Sequence, residues 1–215
     1  MITDWGDQLD VRLYLSKKLR SIERKRVLDV GCGQGFLLSQ VPESNEKYGV
    51  DISEFALAQT KTKIPRALVK KASMYRMPFK SGFFDVVIMA NVIPNVDFSC
   101  PGNAKKNQRK ALGEAARVLK KGGMLFLTAP NAAWFGKYQP GSARKRLEYG
   151  ELEVLLKPDF KGGIKGWNPF PPFPYFLPAR VLRRIPGWFS FLSWICEKGF
   201  FNQKGKFFYT LALKK

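Results

Sequence analysis

Histidine is absent from the 215-residue chain. That single gap excludes Ser-His and Cys-His nucleophile pairs, histidine general bases and every metal site that draws on imidazole. Cysteine is scarce: Cys32, Cys100 and Cys196 are odd in number, far apart and free of CxxC spacing. Neither a disulfide framework nor a zinc centre is expected, no metal is assigned, and a reducing cytoplasm fits this usage best. Long apolar runs are missing as well. The most apolar stretch, Trp188 to Cys196, falls well short of the roughly 20 residues needed to cross a bilayer. Residues 1–7 carry acids where a signal peptide carries bases, so export is not expected. Acidic residues are few, with 17 Asp+Glu against 37 Lys+Arg and a formal charge of +20. Residues 131–215 hold 15 basic and 5 acidic side chains and residues 1–130 hold 22 and 12, so the shorter C-terminal part is the more strongly basic. Such an excess favours an anionic partner, whether nucleic acid, a phospholipid surface or a charged small molecule, or else is a solvated basic surface.

What is present is the alternation of strands and helices. The segment 7–20 sets Leu9, Leu13, Ser16 and Leu19 or Arg20 at helical spacing and predicts an amphipathic helix. Arg26 to Val30 is short, β-branched and closed by glycines, as a buried strand is. The chain turns through Gly31-Cys-Gly-Gln-Gly35 into Phe36–Val41, and Lys47 to Asp51 forms a second strand. Ser53 is placed to cap a helix over 54–63, with acid in its first turn and lysines in its last. Strands are expected at 67–70, 83–90 and 124–128, with a helix over 103–121 that stops at Gly122-Gly123. The pattern predicts one α/β domain over 1–215, a doubly wound and mostly parallel Rossmann-like sheet. After Pro130 glycines, prolines and aromatics crowd the chain, and 168–178 is excluded from helix and central strand. Residues 131–200 are therefore an elaboration over the sheet. Helical patterns return at 178–185 and 188–197, and a closing strand at 206–213 completes the fold, with 199–201 as a possible hairpin partner.

The chemistry centres on Asp29-Val-Gly31-Cys32-Gly33-Gln-Gly35, a glycine turn between strand and helix. Glycines admit positive φ and let a ligand approach the backbone, and a helix N-terminus offers free N–H groups. The dehydrogenase fingerprint GxGxxG needs glycine at position 36, where this chain has Phe36, so the spacing is GxGxG.

Val27 to Gly35 resembles the first motif of class I S-adenosylmethionine-dependent methyltransferases, in the methyltransferase type 11 subgroup related to ubiquinone and sterol methyltransferases. Tyr48-Gly-Val-Asp-Ile-Ser53, Met77-Pro-Phe79 with Phe84-Asp-Val-Val87, and Glu114 to Gly123 resemble the later motifs in order, covering about residues 25–130. The resemblance implies S-adenosylmethionine as cofactor. It would be held at Asp29, Gly31, Cys32, Gly33 and Gly35, at Asp51 on the ribose with Ile52 beside it, at Ser73 and Met74 near the adenine, and at Asn91. Asp51 lies 22 residues beyond Asp29, the distance at which a carboxylate meets both ribose hydroxyls. Asp29, in an apolar strand, needs a turn N–H or the cofactor's ammonium as partner. Ser73 stands where many relatives carry an acid, and Asn91-Val-Ile-Pro-Asn-Val96 stands where relatives show two histidines.

No catalytic residue is assigned. An ionised oxygen or an accessible amine needs no base, whereas a neutral hydroxyl would use Asp97, Glu148 or Tyr138. The leading expectation is methylation of an O, N or C atom on a small or lipid-like acceptor, with specificity in 131–200. The alternatives are an RNA methyltransferase, suggested by basic and aromatic residues in 134–138 and 144–146, and a relative that binds cofactor without turnover. Arg180, Arg183 and Arg184, opposite Leu177, Val181, Leu182 and Ile185 and followed by Trp188 and Trp194, suggest peripheral contact of 177–196 with an anionic membrane, against simple packing on the sheet.

Overall fold

The computed structural model describes residues 5–93, 103–135, 146–167, 194 and 207–215. Helix α1 (Trp5–Leu19) leads into β1 (Arg26–Val30), followed by a short 3-10 turn (Leu38–Gln40), β2 (Glu46–Asp51), α2 (Glu54–Lys63), β3 (Leu68–Lys71) and β4 (Phe84–Ala90). Then come α3 (Ala104–Val118), β5 (Leu119–Pro130), the one-turn α4 (Ala132–Phe135), α5 (Tyr149–Leu156), β6 (Phe160–Lys161), β7 (Ile164–Trp167) and β8 (Phe207–Lys214). The strands make one sheet in the order β3-β2-β1-β4-β5-β8-β6, with β7 also on β8. β1 to β5 run parallel, β8 is antiparallel to β5, and β6 and β7 are antiparallel to β8. The expected doubly wound sheet with a closing antiparallel strand is the observed one.

Parallel strands are apolar on both faces because helices cover both. On one face Tyr14, Leu15 and Leu19 of α1 bury against Val27, Ile88, Phe126 and Tyr209. On the other, Ala111, Leu112 and Ala115 of α3 and Leu152 and Leu155 of α5 meet Leu28, Val87, Leu125 and Phe208. The buried stripe of α1 differs from the spacing that suggested it: Leu13 is 41% exposed and the aromatic Tyr14 turns inward instead. Its ring lies 4.9 Å from that of Tyr209.

Three elements depart from expectation. Residues 36–41 make only a 3-10 turn, because Leu37 packs into the α1 cluster, Leu38 packs with Ile64 and Ala67, and Pro42 follows at once. Helix α3 ends at Val118 rather than at Lys121, since Leu119 is fully buried and pairs with Phe84 at the start of a long β5. Gly122 and Gly123 form an irregularity within that strand. A Cβ on Gly123 would meet the carbonyl oxygen of Lys120 at 2.8 Å, so glycine is required there. Within the elaboration, α5, β6 and β7 carry regular structure that composition did not announce, and β6 and β7 pair with β8 on the side away from β5. The segments 199–201 and 168–178, and the interfacial pattern of 177–196 apart from Trp194, lie outside the described residues. No described helix is long and apolar enough to cross a membrane.

The family-like segments at 77–79 and 114–117 prove to be one contact. Arg117 donates to both carboxylate oxygens of Glu114 at 2.7 Å and to the carbonyls of Phe79 at 2.8 Å and Met77 at 3.1 Å. Glu114 in turn accepts from the Met77 N–H at 2.6 Å. The last turn of α3 thereby pins the long connection between β3 and β4.

Candidate functional site

In parallel sheets ligands gather at the carboxyl ends of the strands, where the connections leave for the helices. β1 and β2 end side by side, with Val30 paired to Val50. The turn after β1 is anchored at once, because the N–H groups of Gly31 and Cys32 both donate to the Val50 carbonyl, at 2.7 and 3.1 Å. Gly31, Gly33 and Gly35 all have positive φ, at 69°, 52° and 74°. Their surroundings differ. A Cβ on Gly31 would strike Val92 at 2.8 Å and one on Gly35 would press Thr60 at 3.0 Å, so these two glycines serve packing. Around Gly33 nothing lies within 4 Å, so its bare backbone faces open space.

Asp51 turns that space into a site. Its Oδ2 accepts the Gly33 N–H at 2.9 Å and its Oδ1 accepts the Ser53 N–H at 2.9 Å. The carboxylate thus holds both cofactor-side turns while each oxygen keeps a further lone pair for a hydroxyl donor. Ser53 does the capping: its Oγ accepts from Ala56 N–H at 3.2 Å. Beside Asp51, Ile52 and Phe55 are 69% and 68% exposed, an apolar shelf suited to a flat ring. The Ala72 N–H donates to the Asp51 carbonyl at 3.0 Å and brings the end of β3 alongside. There Ser73 Oγ accepts from the Tyr75 N–H at 3.3 Å, and Met74 packs on the core edge.

Asp29 sits beneath, only 3% exposed. Burial pushes its carboxyl up to about 7, the Arg12 guanidinium opposes that shift, and the neighbouring Asp51 adds to it. Arg12, from α1, is a site residue that the sequence reading missed. Its signal was a lone arginine four residues before the buried Ser16, whose hydroxyl donates to the Arg12 carbonyl at 2.8 Å. Cys32 is buried, its thiol pushed up to about 12 by burial first and by Asp29 and Asp51 next. Its Sγ lies 2.9 Å from where a Cβ of Gly49 would stand, so the side chain packs onto β2 and leaves the turn's outer surface to Gly33.

Asn91 ends β4 with φ 56°, its N–H on the Thr128 carbonyl at 2.9 Å and its Oδ1 3.4 Å from the Thr128 hydroxyl. Of the three candidate helpers, Asp97 and Tyr138 lie outside the described residues. Glu148 is the N-cap of α5, in a capping box with Glu151. Basic and aromatic residues at 136–138 and 144–145 are also outside the description, while Arg146 is buried beside the end of β5. Among the described residues no three of Cys, Asp, Glu and His gather as metal ligands would.

The residues present fit a ligand with adjacent hydroxyl donors, a flat ring and a cationic group: Asp51 meets the first, the Ile52 shelf the second and Asp29 the third, over the open backbone of Gly33.

A family model described as a methyltransferase domain matches residues 28–127. A probable S-adenosylmethionine-dependent methyltransferase of Mycobacterium tuberculosis is 30% identical over 137 residues, 60% of this chain and 46% of that protein. A ubiquinone/menaquinone biosynthesis C-methyltransferase of Campylobacter jejuni is 31% identical over 123 residues, 54% of this chain and 46% of its own length. The chain thus spans about half the length of these relatives. The crystal structure of a Thermotoga maritima S-adenosylmethionine-dependent methyltransferase, described as a possible histamine N-methyltransferase, shares the fold. Its TM-score is 0.66 at 19% identity, over 97% of this chain and 91% of that one.

Proposed function

We propose that this chain, a class I S-adenosylmethionine-dependent methyltransferase by its match to the methyltransferase-domain model and to relatives so named, transfers a methyl group to a small or lipid-like acceptor, using Asp29, Gly33, Asp51, Ile52, Ser73, Met74 and Asn91 to seat the cofactor, with Gly31 and Gly35 shaping the turn. The observation that carries the reading is the open backbone of Gly33 beside a carboxylate already oriented by two N–H donors. When bound, the cofactor supplies an electrophilic methyl on a cationic sulfur, which becomes a neutral thioether as the acceptor's lone pair forms the new bond.

The chain's part is alignment. Asp51 would take the ribose hydroxyls, the open side of Gly33 would allow close approach, and Asp29 would meet the ammonium end with a buried carboxyl. Positioning of this kind supplies much of the acceleration of an in-line displacement. Asn91, in a left-handed conformation just past β4, places a neutral amide where the resembled family shows histidine. An amide is no proton acceptor at neutral pH, which favours an acceptor that arrives ionised, as an enolate, phenolate or quinol anion does. The quinone-pathway relative is named for C-methylation, which uses such a nucleophile.

Isothermal titration with S-adenosylhomocysteine tests the seat. Micromolar binding by the parent chain is expected, with a loss of tenfold or more in Gly33→Val, whose side chain fills the open space, and in Asp51→Ala, whose removal frees two N–H groups as well as the ribose. Unchanged affinity in both variants would place the cofactor elsewhere. With the seat established, transfer of a labelled methyl to a panel of phenols and reduced quinones assigns the acceptor.

A further inference from the structure

Among the described residues, the face of β2 and β3 on the α3 side carries no helix. α2 packs on the opposite face of these strands, α3 lies against β5, and the span between β3 and β4 is a connection without a helix of its own. In this uncovered corner four rings meet. Tyr48, Phe79, Phe83 and Phe84 contact one another mostly edge to face at 4.9 to 5.9 Å, and the rings of Phe79 and Phe83 are parallel within 4° with centroids 6.5 Å apart. Phe84 is fully buried, whereas Phe79 and Phe83 remain partly exposed. Cations flank them: the Arg26 guanidinium lies 4.6 Å from the Phe83 centroid and Lys70 Nζ 5.6 Å from that of Phe79. Next to Tyr48 opens a cavity of about 220 Å³ whose walls include Leu68, 54% exposed, and Arg66.

Leu68 and Lys70 alternate onto the same face as Tyr48 and Val50, to which they are paired in register. The corner therefore offers partly exposed rings, a hollow beside Tyr48 and Leu68, and the cations Arg26, Arg66 and Lys70. The carboxylates near it are engaged: Glu46 by Arg26 and by the Tyr48 hydroxyl, Glu43 by Lys47, and Asp85 by the Arg26 N–H and by Lys120. Partly exposed rings set among cations are the physical requirements for sequence-tolerant binding of an unpaired nucleic acid strand. A lipid surface would instead call for apolar side chains standing clear of the cations, and here the cations lie over the rings themselves.

We propose that this corner of β2 and β3 is a docking site for single-stranded nucleic acid, whose bases lie on Phe79 and Phe83 and whose phosphates meet Arg26, Arg66 and Lys70. The site lies away from the Gly33 and Asp51 turn, so it concerns where the protein rests and is independent of which atom it methylates.

Fluorescence anisotropy with a labelled oligouridylate of about 12 nucleotides, long enough to cover a typical single-strand site, provides the test. Binding that weakens steeply between 50 and 200 mM salt is expected. The variant Phe79→Leu/Phe83→Leu keeps the apolar volume and removes the rings, and affinity should fall about fivefold or more. Arg66→Gln/Lys70→Gln should lower both affinity and the salt dependence. S-adenosylhomocysteine titration of each variant should match the parent, which shows that the chain is folded and separates this site from the cofactor seat. The proposal is overturned if the oligonucleotide does not bind, or if the leucine variant binds it as tightly as the parent. It is equally overturned if phosphatidylglycerol vesicles bind as well as the oligonucleotide and are indifferent to the leucine pair, for the corner would then be a surface that any polyanion satisfies.

Discussion

At the scale of the residue, Asp29 carries the most distinctive physics. Its carboxyl, raised to about 7 chiefly by burial, binds its proton more tightly in the folded chain than in the unfolded one, where it titrates near 4. Stability from this residue is therefore full below about pH 4 and is lost as the pH climbs through about 7. Urea denaturation at pH 5 and pH 8 checks this: the parent should lose more stability over that interval than Asp29→Asn, which cannot ionise. Equal losses would mean that Arg12 compensates the charge completely. The glycines and the two aspartates were legible in the sequence because few other residues satisfy a tight turn and a polar ligand at once. Arg12 was not, since an arginine on an amphipathic helix has the same pattern whether it meets solvent or a buried carboxylate 17 residues on.

Between residues and the whole chain stands the clamp of α3 on the β3–β4 connection. Glu114 is held well below the usual carboxylate range, first by its hydrogen bond with Arg117. Its stabilising effect is therefore present at neutral pH and fades as acid protonates it. Glu114→Gln keeps the shape and removes the charge, and it should cost about 1–3 kcal/mol at pH 7, the worth of charge-assisted hydrogen bonds partly open to water. Thermal melts should show the deficit at pH 7 and a smaller one near pH 4. A deficit that does not change with pH would assign the effect to packing. The motif residues at both ends of this clamp were visible in sequence, but nothing in their spacing announced that they touch. Longer strands such as β4 and β8 were legible from unbroken β-branched and aromatic runs. β6, two residues long, exists only because β8 offers it an edge, and no local pattern encodes that. The end of α3 was misjudged because lysines at 120 and 121 suit a last helical turn as well as a strand, and the burial of Leu119 decided between them.

Taken whole, the chain carries a formal charge of +20. In six ion pairs among the described residues at least one side chain is more than a third exposed, and such pairs contribute little individually. Self-repulsion should then exceed them, and the melting temperature should rise as sodium chloride goes from 10 to 300 mM, a range that shrinks the screening length from about 30 Å to below 8 Å. A falling melting temperature would show that the ion pairs outweigh the repulsion. The sheet's connectivity has a further consequence, for synthesis. β5 finds its antiparallel neighbour in residues that follow it at a distance: Pro130 pairs with Phe207 and Met124 with Leu213. At ribosomal speeds of about 5–20 residues per second, β5 waits about 4–15 seconds with one edge unpaired before the strand that covers it has been made. During that interval the nascent chain exposes the apolar Leu125, Phe126 and Leu127 beside an open edge, the condition in which strands recruit the wrong partner. A chaperone that shelters the half-built sheet would act in that interval.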